Sequence, residues 1–142
     1  LKNDRIGHLS NYKTISREVK FGLENSKIDF LLKKESQNCF VEVKSVSLDM
    51  GNHFALFPDA PTSRGRKHLR ELTHIASSGH RAVLFFCVQL GSVNRLGFAK
   101  KIDPDYLTTL EAALSGGVEV LAMNCNLTKY GINLKRAVDL VI

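Results

Sequence analysis

The chain has 142 residues, 44% of them apolar and 24% charged, which is enough to bury one core and too evenly mixed for a disordered or fibrous protein. Its longest apolar runs, residues 82–88 and 138–142, fall far short of the roughly 20 residues of a membrane helix, so no membrane partner is expected. Lys and Arg number 20 against 14 Asp and Glu, a net charge of +6, the sign that a phosphate-rich partner selects.

Residues 4–12 have a weak helical spacing through Ile6 and Leu9, closed by a turn at 11–13. Residues 14–21 set Ile15, Arg17, Val19 and Phe21 against Ser16, Glu18 and Lys20, the alternation of a half-buried strand that ends at Gly22. A turn leads into a second strand over 27–32, and a polar return over 33–38 into a third over 39–48, rich in Val and Phe. A loop marked by Gly51, Pro58 and Pro61 follows. Thr62 is a suitable N-cap for a helix that runs to Ser78, with Gly79 just beyond it and a core stripe of Leu69, Leu72, Ile75 and Ala76.

Residues 82–88 are apolar almost without break, as in a strand buried on both faces, which implies helices on both sides of the sheet. Residues 91–101 are expected as an irregular connection, and Asp103-Pro104 opens a second helix that ends at Gly116-Gly117. Strands over 118–126 and 132–134, with 138–142 added at an edge, complete a single α/β domain: a mixed central sheet flanked by helices. The chain begins at Leu1 and carries no apolar signal stretch, so it is expected to be a fragment. Cys39, Cys87 and Cys125 lie far apart without a CxxC, and are expected as buried thiols of a reducing, cytoplasmic protein.

Two places interrupt apolar strands with charge. The two-residue period puts Glu42 and Lys44 on one face of the third strand, beside Phe40 and Val46, and Asp29 stands within the apolar second strand. Buried charges need partners. Either Glu42 and Lys44 pair with one another or sit at an exposed strand end, or the Asp29 and Glu42 carboxylates meet and their repulsion is relieved by a proton or a cation. Oxygen ligands favour Mg2+ or Mn2+ over zinc, and Lys44 would then orient a water or stabilise developing negative charge. At the first helix, Arg64, Arg66, Lys67 and Arg70 crowd a helix N-terminus, a candidate phosphate contact. Arg17, Lys20, Lys27, Lys33 and Lys34 form a second basic set on the hairpin. Lys67 and His68 can instead reach the carboxylates, although a lone histidine is more often structural or on the surface.

The spacing of Asp29 and Glu42-Val43-Lys44, between a first strand and a helix, resembles the PD-(D/E)xK nuclease signature, with Ile28 where the name-giving proline would stand. Longer stretches, Glu24-Asn25-Ser26-Lys27-Ile28-Asp29-Phe30, Val41-Glu42-Val43-Lys44-Ser45-Val46, Phe57-Pro58-Asp59-Ala60 and Arg64-Gly65-Arg66-Lys67-His68-Leu69-Arg70-Glu71-Leu72, resemble the sugar fermentation stimulation protein A family over essentially the whole chain. That resemblance implies a restriction-endonuclease-like core and DNA binding with little sequence preference. It also implies a link to transcriptional regulation of maltose metabolism, and a preceding OB-fold-like domain absent from this chain. Carried over residue by residue, it makes Asp29 and Glu42 metal ligands, with Glu24 as a further carboxylate, and Lys44 the catalytic lysine. The resemblance also sets Arg66 where many members of the family have Gln, and Asp59 is expected as a loop or capping residue.

Overall fold

The structure, a computed structural model, describes residues 6–22 and 26–142. Three strands, β1 (Thr14–Phe21), β2 (Ser26–Lys33) and β3 (Asn38–Val46), form an antiparallel meander. Helix α1 (Ser63–Ser77) then carries the chain to β6 (Arg81–Val88), parallel to β3, and α2 (Pro104–Ser115) carries it on to β8 (Glu119–Thr128), parallel to β6. With β9 (Gly131–Ala137) returning antiparallel, the main sheet has the order β1-β2-β3-β6-β8-β9. This mixed sheet, with α1 as the crossover after the lysine-bearing strand, is the expected PD-(D/E)xK-like core. Among the described residues, no helix is long and apolar enough to cross a membrane.

Both helices start where their sequences say they should. The Thr62 hydroxyl accepts the Gly65 N–H at 2.9 Å, and the Asp103 carboxylate accepts the Tyr106 N–H at 2.9 Å with Pro104 in the first turn. Leu69, Leu72 and Leu110 pack with Val46, Leu84 and Phe86 into one core on the helix side of the sheet.

The other face departs from expectation. Leu32, Cys39, Val41, Val83 and Phe85 are buried there beneath Ile6 and Leu9, and not by helices. Instead of a helix over 4–12, of which residues 4 and 5 lie outside the described residues, a single 3-10 turn spans Gly7–Leu9. Asn11 takes a φ of 66°, a left-handed conformation that a helix cannot pass through.

The connections also hold more structure than their sequences announce. A small second sheet, ordered β10-β7-β5-β4, joins β4 (Leu48–Asp49), β5 (Phe54–Phe57), β7 (Arg95–Phe98) and β10 (Asp139–Val141). Residues 91–101 read as irregular because of their glycines, yet Gly97 sits mid-strand for a packing reason. A Cβ there would lie 2.6 Å from the Phe54 ring.

One irregularity positions the site. In a regular strand side chains alternate between faces, and both β1 and β2 break that rule once. Ile15 packs away from the helices, whereas Val19 and Phe21, of the same parity, pack toward them. The break falls at Glu18, which has a φ of 49°. In β2, Phe30 and Leu32 pack away from the helices and Ile28 toward them, so that break falls at Asp29. Continuing the pairs Arg17↔Phe30 and Val19↔Ile28 puts Glu18 and Asp29 opposite each other.

Candidate functional site

Main-chain pairing between β2 and β3 runs from Lys33↔Asn38 to Phe30↔Val41 and stops at Asp29. There the carboxylate takes over: Asp29 Oδ2 accepts the Val43 N–H at 2.7 Å, a donor that continued pairing would have used. Asp29 is thereby fixed at a split in the sheet, against the strand that carries Glu42 and Lys44.

On β3, Glu42 and Lys44 face α1, between Phe40 and Val46 of the helix-side core. Glu42 is buried at 3% exposure, and its Oε1 accepts from Lys44 Nζ at 2.7 Å. His68, buried on α1, places Nδ1 in very short contact with the same oxygen and 3.1 Å from Lys44 Nζ. With Nδ1 protonated, imidazole and ammonium both donate to Glu42 Oε1. The other oxygen, Oε2, is buried with no hydrogen-bond partner among the described residues.

The two acids are shifted in opposite directions. Burial pushes the Asp29 carboxyl above the usual range, and the Glu42 charge adds to the rise. The Val43 N–H and the Lys44 and His68 charges only partly offset it. Burial would raise Glu42 as well, but the hydrogen bond from His68 and the charge and hydrogen bond of Lys44 outweigh it and hold Glu42 below the usual range. Since each of these groups acts on Asp29, the three residues singled out by the sequence share one electrostatic site, and Glu42 and Lys44 also pair directly, as the simpler reading had it.

Two further buried polar side chains on the helices are not among the residues that the sequence singles out. The Tyr106 hydroxyl, on α2, is buried without a partner among the described residues, and burial, with the Glu42 and Asp103 charges, pushes it up. Glu71, one turn beyond His68, is buried with neither oxygen bonded among the described residues, and it lies so close under Gly22 that a Cβ there would meet Oε1 at 2.7 Å. A signal for Glu71 existed: an acid between Leu69 and Leu72 lies close to the helix's apolar stripe. For Tyr106 there was none, because its place depends on how α2 packs.

Glu24 lies outside the described residues. Among the described residues, no three His, Cys, Asp or Glu side chains converge into a ready ligand set. Of the basic candidates, Arg64 and Arg70 are exposed on α1, Lys67 is half-buried, and Lys27 is exposed on β2 opposite Lys20. Arg66 is engaged elsewhere: one guanidinium nitrogen donates to both oxygens of buried Asp103 at 2.7 Å each. Asp59 is exposed in its loop, and all three cysteines are free and buried.

Residues 1–131 match the family model described as the Sugar fermentation stimulation protein RE domain, SfsA. This chain belongs to the SfsA family. Proteins named sugar fermentation stimulation protein homolog are similar to it in sequence. One from Saccharophagus degradans is 45% identical over 134 residues, covering 94% of this chain and 54% of the relative. One from Pseudoalteromonas atlantica is 44% identical and covers 100% of this chain and 61% of the relative. The structure of Pyrococcus furiosus SfsA in complex with Ca2+ superposes with a TM-score of 0.88 at 32% identity, over 99% of this chain and 60% of that one. The chain thus spans little more than half the length of these SfsA relatives.

Proposed function

We propose that this domain is a divalent-metal-dependent DNA phosphodiesterase. The observation that carries the reading is the pair of unlike carboxylates at the split in the sheet. Asp29 is held high by burial and by Glu42, and Glu42 is ionised with a bare buried oxygen. Two acids in that state fit a hard cation, with water completing its shell. A relative at 32% identity, matched over nearly all of this chain, has been solved with Ca2+, which supports the same chemistry here. When bound, such an ion supplies a Lewis acid to a phosphodiester oxygen and a water of lowered pKa. Either Mg2+ or Mn2+ suits the oxygen ligands.

The chain's own residues do the rest. Lys44, fixed by Glu42, presents positive charge where the phosphate gains negative charge. His68 holds Glu42 Oε1, so that Oε2 is the oxygen left for a cation. Arg64 and Arg70, exposed on α1, are phosphate contacts, and the net charge of +6 favours such a partner. In a cytoplasmic setting this activity would accompany the regulation of maltose metabolism that the resemblance implies. A second reading, DNA binding without turnover, is favoured by one observation: no third ligand joins Asp29 and Glu42 among the described residues.

Calorimetric titration of the chain and of Glu42→Ala with Mg2+, Mn2+ and Ca2+, followed by a DNA-nicking assay on the same samples, separates the two. Metal uptake that depends on Glu42, with nicking, supports the phosphodiesterase. Absence of nicking in every metal sinks it.

A further inference from the structure

We propose that the β1–β2 hairpin carries a track for single-stranded DNA, ending in a cleft that takes one unpaired base beside Asp29. The inference deepens the function proposed above and rests on its DNA partner.

The breaks at Glu18 and Asp29 are what make the surface. With regular alternation Arg17 and Lys20 would lie on opposite faces of β1, and Lys27 and Phe30 on opposite faces of β2. Since Val19, Phe21 and Ile28 pack toward the helices, Lys20 and Lys27 project to the other side, the side of Arg17 and Phe30. All three cations are exposed, and none has an ion pair among the described residues. Lys20 and Lys27 are directly opposite in the register, a like-charge pair that costs stability unless an anion lies across it.

The cations lead to a cleft of 580 Å3 lined by Arg17, Glu18, Asp29, Phe30 and Val43, a volume within the range of about 300–1,000 Å3 of ligand sites. Its chemistry is mixed in a particular way. Arg17 suits a phosphate, while Phe30 and Val43 offer an aromatic and an apolar wall. The two carboxylates repel phosphate but accept hydrogen bonds from the amino edge of a neutral base. A base in a duplex is stacked and paired and cannot enter; an unpaired one can, at the cost of no melting. Phosphates along Lys20, Lys27 and Arg17, with a base on Phe30, would bring the next linkage to the Asp29 end of the metal site.

The test is fluorescence anisotropy of this chain with a labelled mixed-sequence single strand and its matched duplex, in EDTA, over a range of salt. The single strand is expected to bind at least tenfold more tightly than the duplex. The Arg17→Ala, Lys20→Ala, Lys27→Ala triple variant, all on exposed positions, should lose at least tenfold in single-strand affinity and flatten the salt slope by about 2 for three lost phosphate contacts. Phe30→Leu, which keeps an apolar side chain in the core, should cost about fivefold or more for the single strand and leave the duplex unchanged. Equal binding of both forms, or a triple variant that binds like the parent, overturns the track and leaves the phosphodiesterase reading standing. Single-strand binding as described without cleavage in any metal overturns that reading and supports the track. No salt-dependent binding to either form overturns both.

Discussion

Asp103 and the Asp29–Glu42 pair are both acids taken out of water, and the molecule treats them in opposite ways. Asp103 accepts from the Thr62 and Tyr106 main-chain N–H groups and from Arg66, so that a single carboxylate ties the N-termini of α1 and α2 together. Those donors hold it below the usual carboxylate range in spite of its burial. Asp29 has one main-chain donor and is held above that range, and Glu42 has one crowded oxygen and one bare one. A fully satisfied carboxylate holds a structure together. A half-satisfied one keeps capacity for something that arrives later.

Asp103→Ala removes the α2 cap and leaves a half-buried guanidinium without its acid, and is expected to destabilise the chain by about 3 kcal/mol, read from urea unfolding. A loss below about 1 kcal/mol would mean that the helix junction does not depend on this group. Glu42→Gln should cost less stability than Asp103→Ala, because the amide oxygen can still accept from Lys44 and His68, yet lose at least about a hundredfold in the proposed metal-dependent cleavage, read from urea unfolding and a DNA-nicking assay, because even residues that only support a ligand cost 10–100-fold.

These two acids also show what the sequence made legible. The order of strands and helices, the caps at Thr62 and Asp103 and the cluster of Asp29, Glu42 and Lys44 follow from alternation, capping chemistry and charge inside apolar runs, all local signals. What escaped depends on contacts between distant segments. Arg66 read as a phosphate contact because its partner, Asp103, is 37 residues away. The small second sheet escaped because short strands with a glycine look like loops. Reversed alternation at Glu18 and Asp29 leaves no trace in the residue types, since a strand with one misplaced step has the same composition as a regular one.

The acids also respond to pH in opposite senses. For Asp103 and Glu42 the folded state has the lower pKa, so their contribution is complete above the ordinary carboxylate range. It is lost as pH falls through that range toward their folded values. For Asp29 the sign is opposite: its folded pKa is raised, so its contribution is complete below the ordinary range and is lost as pH rises through the folded value. Asp29→Asn, which can still accept the Val43 N–H, is therefore expected to be more stable than the parent at pH 7 by about 1 kcal/mol or less and no more stable at pH 3. Thermal melts at the two pH values check the sign, and a variant less stable at pH 7 would contradict the raised pKa.

Glu71 gives the smallest effect and the finest test of the same idea. Its carboxylate is buried beside Gly22 with no donor on either oxygen among the described residues. Losing the partner of a buried charge is costly, whereas removing a charge that has no partner is neutral or favourable. Glu71→Gln keeps the shape and drops the ionisable group, so its unfolding midpoint in urea should equal or exceed the parent's, by no more than about 1 kcal/mol. A clear loss of stability would reveal a donor outside the described residues and would move Glu71 into the class of Asp103. A gain would place it with Asp29, as an acid that the fold leaves short of donors.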